Sequence, residues 1–498
     1  MTSAINFSLK NQTPGGGLDK FIAIVIAFSR LSLRDNGILH NLYDGQMFRD
    51  NEKLVTSGGP YDAAKMQEGN ELVLRGDDET DPFKLKFGEV ISHEPSLAGR
   101  ATAVLHAESM RWKDTPLAVK ISWPGSERVA EYKFLAKAVE TANGSRDDEW
   151  ALNHLPQVLF SQDVPPGLDS IHERVESILE DNEFVNPKCE FVYERRTLRI
   201  IIQERLDPLD TLTDVREIAQ VLLDVACSKC FRFPCWVRWT QGISVHRWLY
   251  ERAGILHRDF SLSNIMCRTI MEENEDGIFE ERVCGVLTDF DLASWKEDLD
   301  GDYKPTSQQR TGTPPFMAQG LLDGSEALHL YRHDLESLFY IMLIVATHYE
   351  IELPREGKGG GLRARRGFKE LPYQDWFNQE SYKTLARFKR DFFSTWQDLN
   401  LSPSFKDFGA WLEDFRMSFR LGLRSSETHK DEVKVLQRQN DGSEDKVTPK
   451  FDDETLGGHV HFSALIDPVR RLKGKLKGLI IRYDPPLRTS AGPVKTDH

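Results

Sequence analysis

The chain changes character near residue 206, and that change limits the folds open to it. Between residues 86 and 206 short segments rich in β-branched and apolar residues predominate. KFGEVI (86–91), ATAVLHAE (101–108), LAVKISW (117–123) and TLRIIIQERL (197–206) each read as a strand. One helical segment interrupts them at 125–140. There Val129, Tyr132, Leu135, Ala136 and Val139 recur at helical spacing, and Ser126 is placed to act as the N-cap. Beyond 206 the spacing becomes helical over 214–226, 247–254, 333–349 and 381–396. A strand-rich part followed by a helical part predicts an α+β chain of two lobes, a small β-rich one with a single main helix and a larger helical one.

The remainder is read around that division. Residues 1–24 form a polar, flexible start, and 25–85 an extension with some strand content. The small lobe is expected over 86–206 and the large lobe over 207–417. GKGGG (357–361) and RARR (363–366) read as a mobile loop, and 418–498 as a charged tail, poorly ordered to about 455, with a candidate short helix near 467–486. The net charge of −14 argues against nucleic acid or an anionic membrane as a general partner. No apolar run approaches the roughly 20 residues of a membrane span, FIAIVIAF (21–28) being far too short. With no secretory signal evident, the cytoplasm or nucleus is the expected location. Six cysteines in this length do not make a disulfide framework.

The chemistry is carried by ILHRDFSLSNIM (255–266) and LTDFDLAS (287–294). Asn264 follows Asp259 by five residues, and Asp289 follows it by 30. Phosphoryl transfer needs an attacking hydroxyl held in line and phosphate charge neutralised by metal. A carboxylate at Asp259 accepts the hydroxyl proton. Asn264 and Asp289 offer the neutral and charged oxygens that suit Mg²⁺. The segments IMCRTI and RVCGVLTD would form a hairpin that brings these groups together, with EENEDG (272–277) at its tip. Upstream, Lys120 in LAVKI is placed to hold the α- and β-phosphates of ATP if a carboxylate fixes it. Glu131 is the preferred partner and Glu127 the alternative.

Together with LAGRATAVLHAE (97–108), RTGTPPFMA (310–318) and HDLESLFYIML (333–343), these motifs resemble the fungal-specific protein kinase family, a branch with the protein-kinase-like fold. The resemblance runs from about residue 25 to about 415. In that family Asp-Phe-Asp commonly replaces Asp-Phe-Gly, so Asp291 is a family trait. The resemblance implies ATP and Mg²⁺ as cofactors and a protein as substrate. It implies that Lys120 pairs with Glu131, that Asp259 orients the acceptor hydroxyl, and that Asn264 and Asp289 bind the metal. Gln203 would be the gatekeeper before an adenine-binding hinge at Glu204–Leu206. Thr313 would hydrogen-bond Asp259 and favour serine or threonine substrates. Asp334 would brace the catalytic loop.

The sequence departs from the family of protein kinases at several places. The phosphate loop SHEPSLAGRATAV holds one glycine, Gly99, followed by Arg100, which adds charge. Ser261 stands where a lysine often steadies the γ-phosphate. Gln319-Gly320 stands where Pro-Glu is usual, so a buried ion pair is lost or replaced. Asp291 removes the freedom that glycine has at positive φ and predicts a stiffer loop. CSKCFRFPCWVRWTQGIS (227–244) interrupts an expected helix. Cys227, Cys230 and Cys235 with His246 match no well-attested zinc spacing, and the segment reads rather as a surface insertion or an unremoved intron. Arg258 and the hydroxyls of Thr306, Ser307 and Thr311 suggest control by loop phosphorylation.

Three functions follow. The first is an active serine/threonine protein kinase. The second is a weak or inactive pseudokinase scaffold, favoured by the poor glycine loop, Ser261, Gly320 and the insert. The third is a small-molecule phosphotransferase of the aminoglycoside or choline type, opposed by Arg258, GTPPFMA and HDLES.

Overall fold

Burial alternates along β1 (Glu71–Arg75) and the first half of β2 (Pro82–His93), with Leu72, Leu74, Phe83, Leu85 and Phe87 buried on one face and Val73 exposed on the other. The computed structural model describes residues 71–75, 82–93, 100–164, 195–226, 245–273, 278–299, 312–324, 328–355, 359–365, 371–379, 381–395, 397–439 and 450–461. The chain divides into two units, Met1–Tyr132 with Gln157–Arg205, and Lys133–Pro156 with Leu206–His498. Helix and antiparallel sheet are mixed, as the α+β reading requires.

The first unit is built on a six-stranded antiparallel sheet. Its further strands are β3 (Ala103–Glu108), β4 (Leu117–Ser122), β5 (Val158–Val164) and β6 (Leu198–Glu204), in the order β1-β2-β3-β4-β6-β5. Leu117, Val119 and Ile121 of β4 join the apolar cluster with Leu198, Ile200 and Ile202 of β6. By the two-residue period, Lys120 lies on the opposite face, in register with Val104 and Ile201. The sheet begins at Glu71, within the segment read as an extension.

The helix that follows β4 is α1 (Glu131–Asn143), of which Glu131 and Tyr132 belong to the first unit and the rest to the second, and the expectation that it starts near Ser126 is not met. Gly125 instead bridges Arg196, and the Ser126 N–H donates to the Arg195 carbonyl at 2.7 Å. Ser126 Oγ shares a hydrogen bond with Thr197 Oγ1 at 2.9 Å rather than capping a helix. Pairing with the distant segment Arg195–Thr197 therefore takes the backbone of these residues out of the helix, and Val129 is left exposed.

After Lys133–Pro156 the second unit resumes with β7 (Asp207–Pro208) and α2 (Val215–Ala226), where Asp214 Oδ1 accepts the Arg216 N–H at 2.8 Å. The insert at 227–244 lies outside the described residues. Helix α3 (Val245–Trp248) runs into a π-turn over Leu249–Ala253 and stops at Gly254, whose φ of 68° is the left-handed conformation of a helix terminus. β8 (Ile255–Leu256) then leads into the HRD segment. The expected hairpin forms from β9 (Ile265–Glu273) and β10 (Phe279–Leu287), with residues 274–277 outside the description. Gly285 is required in β10, since a Cβ there would lie 2.4 Å from the Val221 carbonyl oxygen of α2. β11 (Ser294–Trp295) pairs with β8.

Helices α4 (Gln319–Asp323) and α5 (Tyr331–His348) follow, and every residue of α5 is buried. The mobile loop expected around GKGGG and RARR is, over its described part, a strand: β12 (Tyr349–Glu352) pairs with β13 (Gly361–Ala364). Helix α6 (Tyr382–Ser394) starts at Ser381, whose Oγ accepts the Thr384 N–H. The poorly ordered tail expected from 418 is also corrected. Helix α7 (Gly409–Gln439) runs through it, anchored by buried Trp411, Leu412, Phe415 and Phe419. Phe415 and Phe419 pack on Phe339 of α5, whose ring also meets Phe392 and Phe393 of α6 at centroid distances of 5.6–5.9 Å. Residues 450–461 pack on the same unit. Tyr250 donates to Glu454 at 2.9 Å, and Arg332 Nε donates to the Asp453 carbonyl. Among the described residues, no helix is long and apolar enough to cross a membrane. The segments 1–24 and 467–486 lie outside the description.

Candidate active site

In the second unit β8 delivers the chain into His257, Arg258 and Asp259. His257 is fully buried; its Nε2 donates to the Thr288 carbonyl at 2.9 Å, and its Nδ1 accepts the Asp259 N–H at 3.3 Å. Its ring also packs edge-on against Phe290. Both nitrogens are thus used in the neutral tautomer. Burial pushes the imidazole down to about 4, outweighing the opposing influence of Asp334. In the unfolded chain it ionises near 6.5. Between these values unfolding takes up a proton, so this contribution is fully present above about pH 6.5 and is lost as pH falls toward 4. The loss amounts to about 3 kcal/mol. Urea midpoints measured from neutral pH down to about pH 4 are expected to fall, and to fall less in His257→Gln. An equal fall in both proteins would refute the assignment.

Arg258 has a left-handed φ of 68°, which turns its N–H toward Asp334 Oδ2 at 3.2 Å. Asp334 is fully buried in α5 and also accepts from His246 Nε2 at 3.0 Å and from His329 Nε2 at 2.7 Å. Burial opposes its negative charge, but His329 and the two imidazole hydrogen bonds outweigh that and hold the carboxyl well below its ordinary range. The bracing role expected of Asp334 thus has a geometry. Nothing in the sequence marks His246 and His329 as its partners. His246, which stands near the cysteines of the insert, is committed to Asp334 rather than to a zinc ion, while Cys227, Cys230 and Cys235 lie outside the described residues.

Asp259 is held from two sides. Its Oδ1 accepts both the Thr313 N–H, at 3.1 Å, and the Thr313 hydroxyl, at 3.2 Å. Asn264 Nδ2 donates to the Asp259 carbonyl at 2.8 Å and reaches Oδ2 at 3.4 Å. That orientation leaves Asn264 Oδ1 as the acceptor end of the amide, toward which Ser263 donates at 3.3 Å. Ser261, standing at the usual lysine position, is buried and shares a 2.9 Å hydrogen bond with Ser263. The hydroxyl pair therefore bears on Asn264, a connection the sequence spacing did not suggest.

The strand hairpin brings the second loop alongside. The Thr288 N–H and hydroxyl both donate to the Asn264 carbonyl, at 2.9 and 3.1 Å. Asp289 follows with φ 61° and ψ 75°, and its Oδ1 accepts the Asp291 N–H at 3.4 Å. The left-handed residue of this loop is Asp289, not Asp291, which sits in a 3₁₀ turn over Phe290–Leu292. The backbone cost expected at Asp291 is thus borne two residues earlier, by a residue type that tolerates it.

In the first unit Lys120 Nζ meets Glu131 Oε2 at 2.7 Å, the two residues being 8% and 2% exposed. Glu127 is exposed, so the alternative partner is set aside. Gln203 lies in register with Ala118 and Val158 near the end of β6. Glu204 exchanges hydrogen bonds with Gln157, both through its backbone N–H and through its side chain. Leu206 is buried in the second unit. Arg100 is half-buried and its carbonyl accepts the Trp123 N–H at 2.7 Å; Gly99 lies outside the described residues, as do Thr306, Ser307 and Thr311.

The donor set of the second unit suits a hard divalent cation. An amide oxygen and a carboxylate are the ligand types that Mg²⁺ takes. Residues 239–346 match a family model described as fungal protein kinase. No curated protein matches the chain.

Proposed function

We propose, from the match of residues 239–346 to the fungal protein kinase family, that the chain transfers the γ-phosphate of ATP to serine or threonine hydroxyls of proteins. The observation that most supports this reading is the double grip of Thr313 on Asp259 Oδ1, with Asn264 locked to the same residue. Asp259 accepts the proton of the attacking hydroxyl, and Thr313 holds it at the height suited to a short side chain. Asn264 and Asp289 would hold Mg²⁺, which when bound neutralises phosphate charge.

Lys120, oriented by Glu131, binds the α- and β-phosphates, with Gly99 and Arg100 in the phosphate loop. Gln203 acts as gatekeeper, and the backbone of Glu204–Leu206 receives adenine. Residues 86–206 serve as the small lobe and 207–417 as the large lobe of a protein-kinase-like fold, although 133–156 group with the second unit.

Purified chain incubated with labelled ATP and Mg²⁺, offered both protein substrates and a panel of small alcohols, tests the reading. Label on protein serine or threonine is expected. Label on alcohols alone would establish the small-molecule alternative, and no transfer at all the scaffold alternative. Glu131→Gln replaces the charge that fixes Lys120 and is expected to lower kcat/KM for ATP on the order of a hundredfold. Steady-state kinetics over ATP concentration measures it.

A further inference from the structure

Gly320 cannot make the buried ion pair that a carboxylate would make there, yet the segment Thr313–Gln319 is held at both ends. Its first residue grips Asp259. At its far end the Met317 carbonyl accepts from Lys389 Nζ, and the Gln319 N–H donates to Glu336 Oε1 at 2.7 Å. Lys389 comes from α6 and is fully buried; Glu336 comes from α5 and is 2% exposed. Their surroundings are shared as well. The Tyr340 hydroxyl donates to Glu336 Oε1 at 2.6 Å, and Lys389 Nζ lies 3.9 Å from the Tyr340 ring centroid and 5.4 Å from that of Trp376.

Burying a carboxyl and an amine on two different helices is costly, burial pushing Glu336 up and Lys389 down, and apolar residues of similar size would often stabilise such a site as well or better. Both are spent on the backbone of one short segment, the one that starts at Thr313. Cores made for stability alone do not need this arrangement.

We propose that Glu336 and Lys389 are positioning residues that replace the missing carboxylate at 320 and fix Thr313–Gln319 as the seat of the acceptor protein. The proposal rests on the kinase reading above. Through Met317 and Gln319 the pair sets where the segment's backbone lies, and through Thr313 it sets where the acceptor hydroxyl meets Asp259. Neither residue touches the phosphates.

Glu336→Gln and Lys389→Met, made in the full chain, test it. The KM for a protein acceptor is expected to rise on the order of tenfold or more, while the KM for ATP stays unchanged. Amide exchange at Gln319 is expected to speed up in Glu336→Gln. If either variant fails to melt cooperatively, Tyr340→Phe, which removes only one hydroxyl from Glu336, decides the matter by the same two KM values, with a smaller rise expected for the acceptor. An unchanged acceptor KM, or equal rises in both KM values, overturns the brace. An unaltered chain that labels no protein overturns the kinase reading, and the brace with it.

Discussion

Asp259→Asn is expected to lower phosphate transfer by a factor on the order of 10³ while leaving the fold intact. The substitution is nearly isosteric. An amide oxygen can still accept the Thr313 N–H and hydroxyl, and Asn264 still has the residue 259 carbonyl to bind. What disappears is the only function an amide cannot serve, accepting the proton of an attacking hydroxyl. Initial rates with labelled ATP, set beside thermal melting of both proteins, measure the effect. Transfer within a few-fold of the unaltered chain would remove Asp259 from the chemistry, and a lowered melting temperature would point to a structural loss instead.

Asp334→Ala is expected to destabilise the second unit by about 3–5 kcal/mol. The carboxylate is fully buried and answers three donors, His246 Nε2, His329 Nε2 and the Arg258 N–H. Truncation leaves all three without their acceptor in a site water does not reach, and each such group costs about 1–3 kcal/mol. Arg258 is most affected, because its left-handed backbone is held by that hydrogen bond. Urea denaturation gives the stability change. Amide exchange should show the catalytic loop opening before the rest of the unit. A change below about 1 kcal/mol would mean that the three donors find other partners.

Both predictions concern residues named at the level of sequence, Asp259 by its spacing and Asp334 only through the family resemblance. Asp259, Asn264 and Asp289 lie on two turns that flank one hairpin, so local order along the chain nearly determines their neighbourhood. Lys120 was legible because LAVKI resembles the Val-Ala-Ile-Lys strand of protein kinases and stands upstream of the other motifs, and the structure pairs it with Glu131 rather than Glu127. The misreadings share a different cause. Ser126 looks like an N-cap until Arg195–Thr197, some seventy residues later in the chain, pair with its backbone.

The charged run after 418 hides its buried face. Gly422 of α7 lets Leu456 approach so closely that a Cβ would lie 2.8 Å from it, and nothing near 422 announces residue 456. The glycines and arginines at 357–366 give no period-two signal, yet β13 is paired residue by residue with β12. Likewise Glu336 and Lys389 are unremarkable polar positions in two helices until the fold closes them on one segment.

The rings around Phe339 have a practical consequence for anyone trimming the chain. The family match ends at residue 346, two residues before α5 does. Phe392, Phe393, Phe415 and Phe419, which enclose Phe339, all come after that boundary. A fragment cut to the match would present the apolar side of its central helix to water and aggregate. The smallest piece worth expressing must carry the aromatic lid with it, and so extend at least through α7.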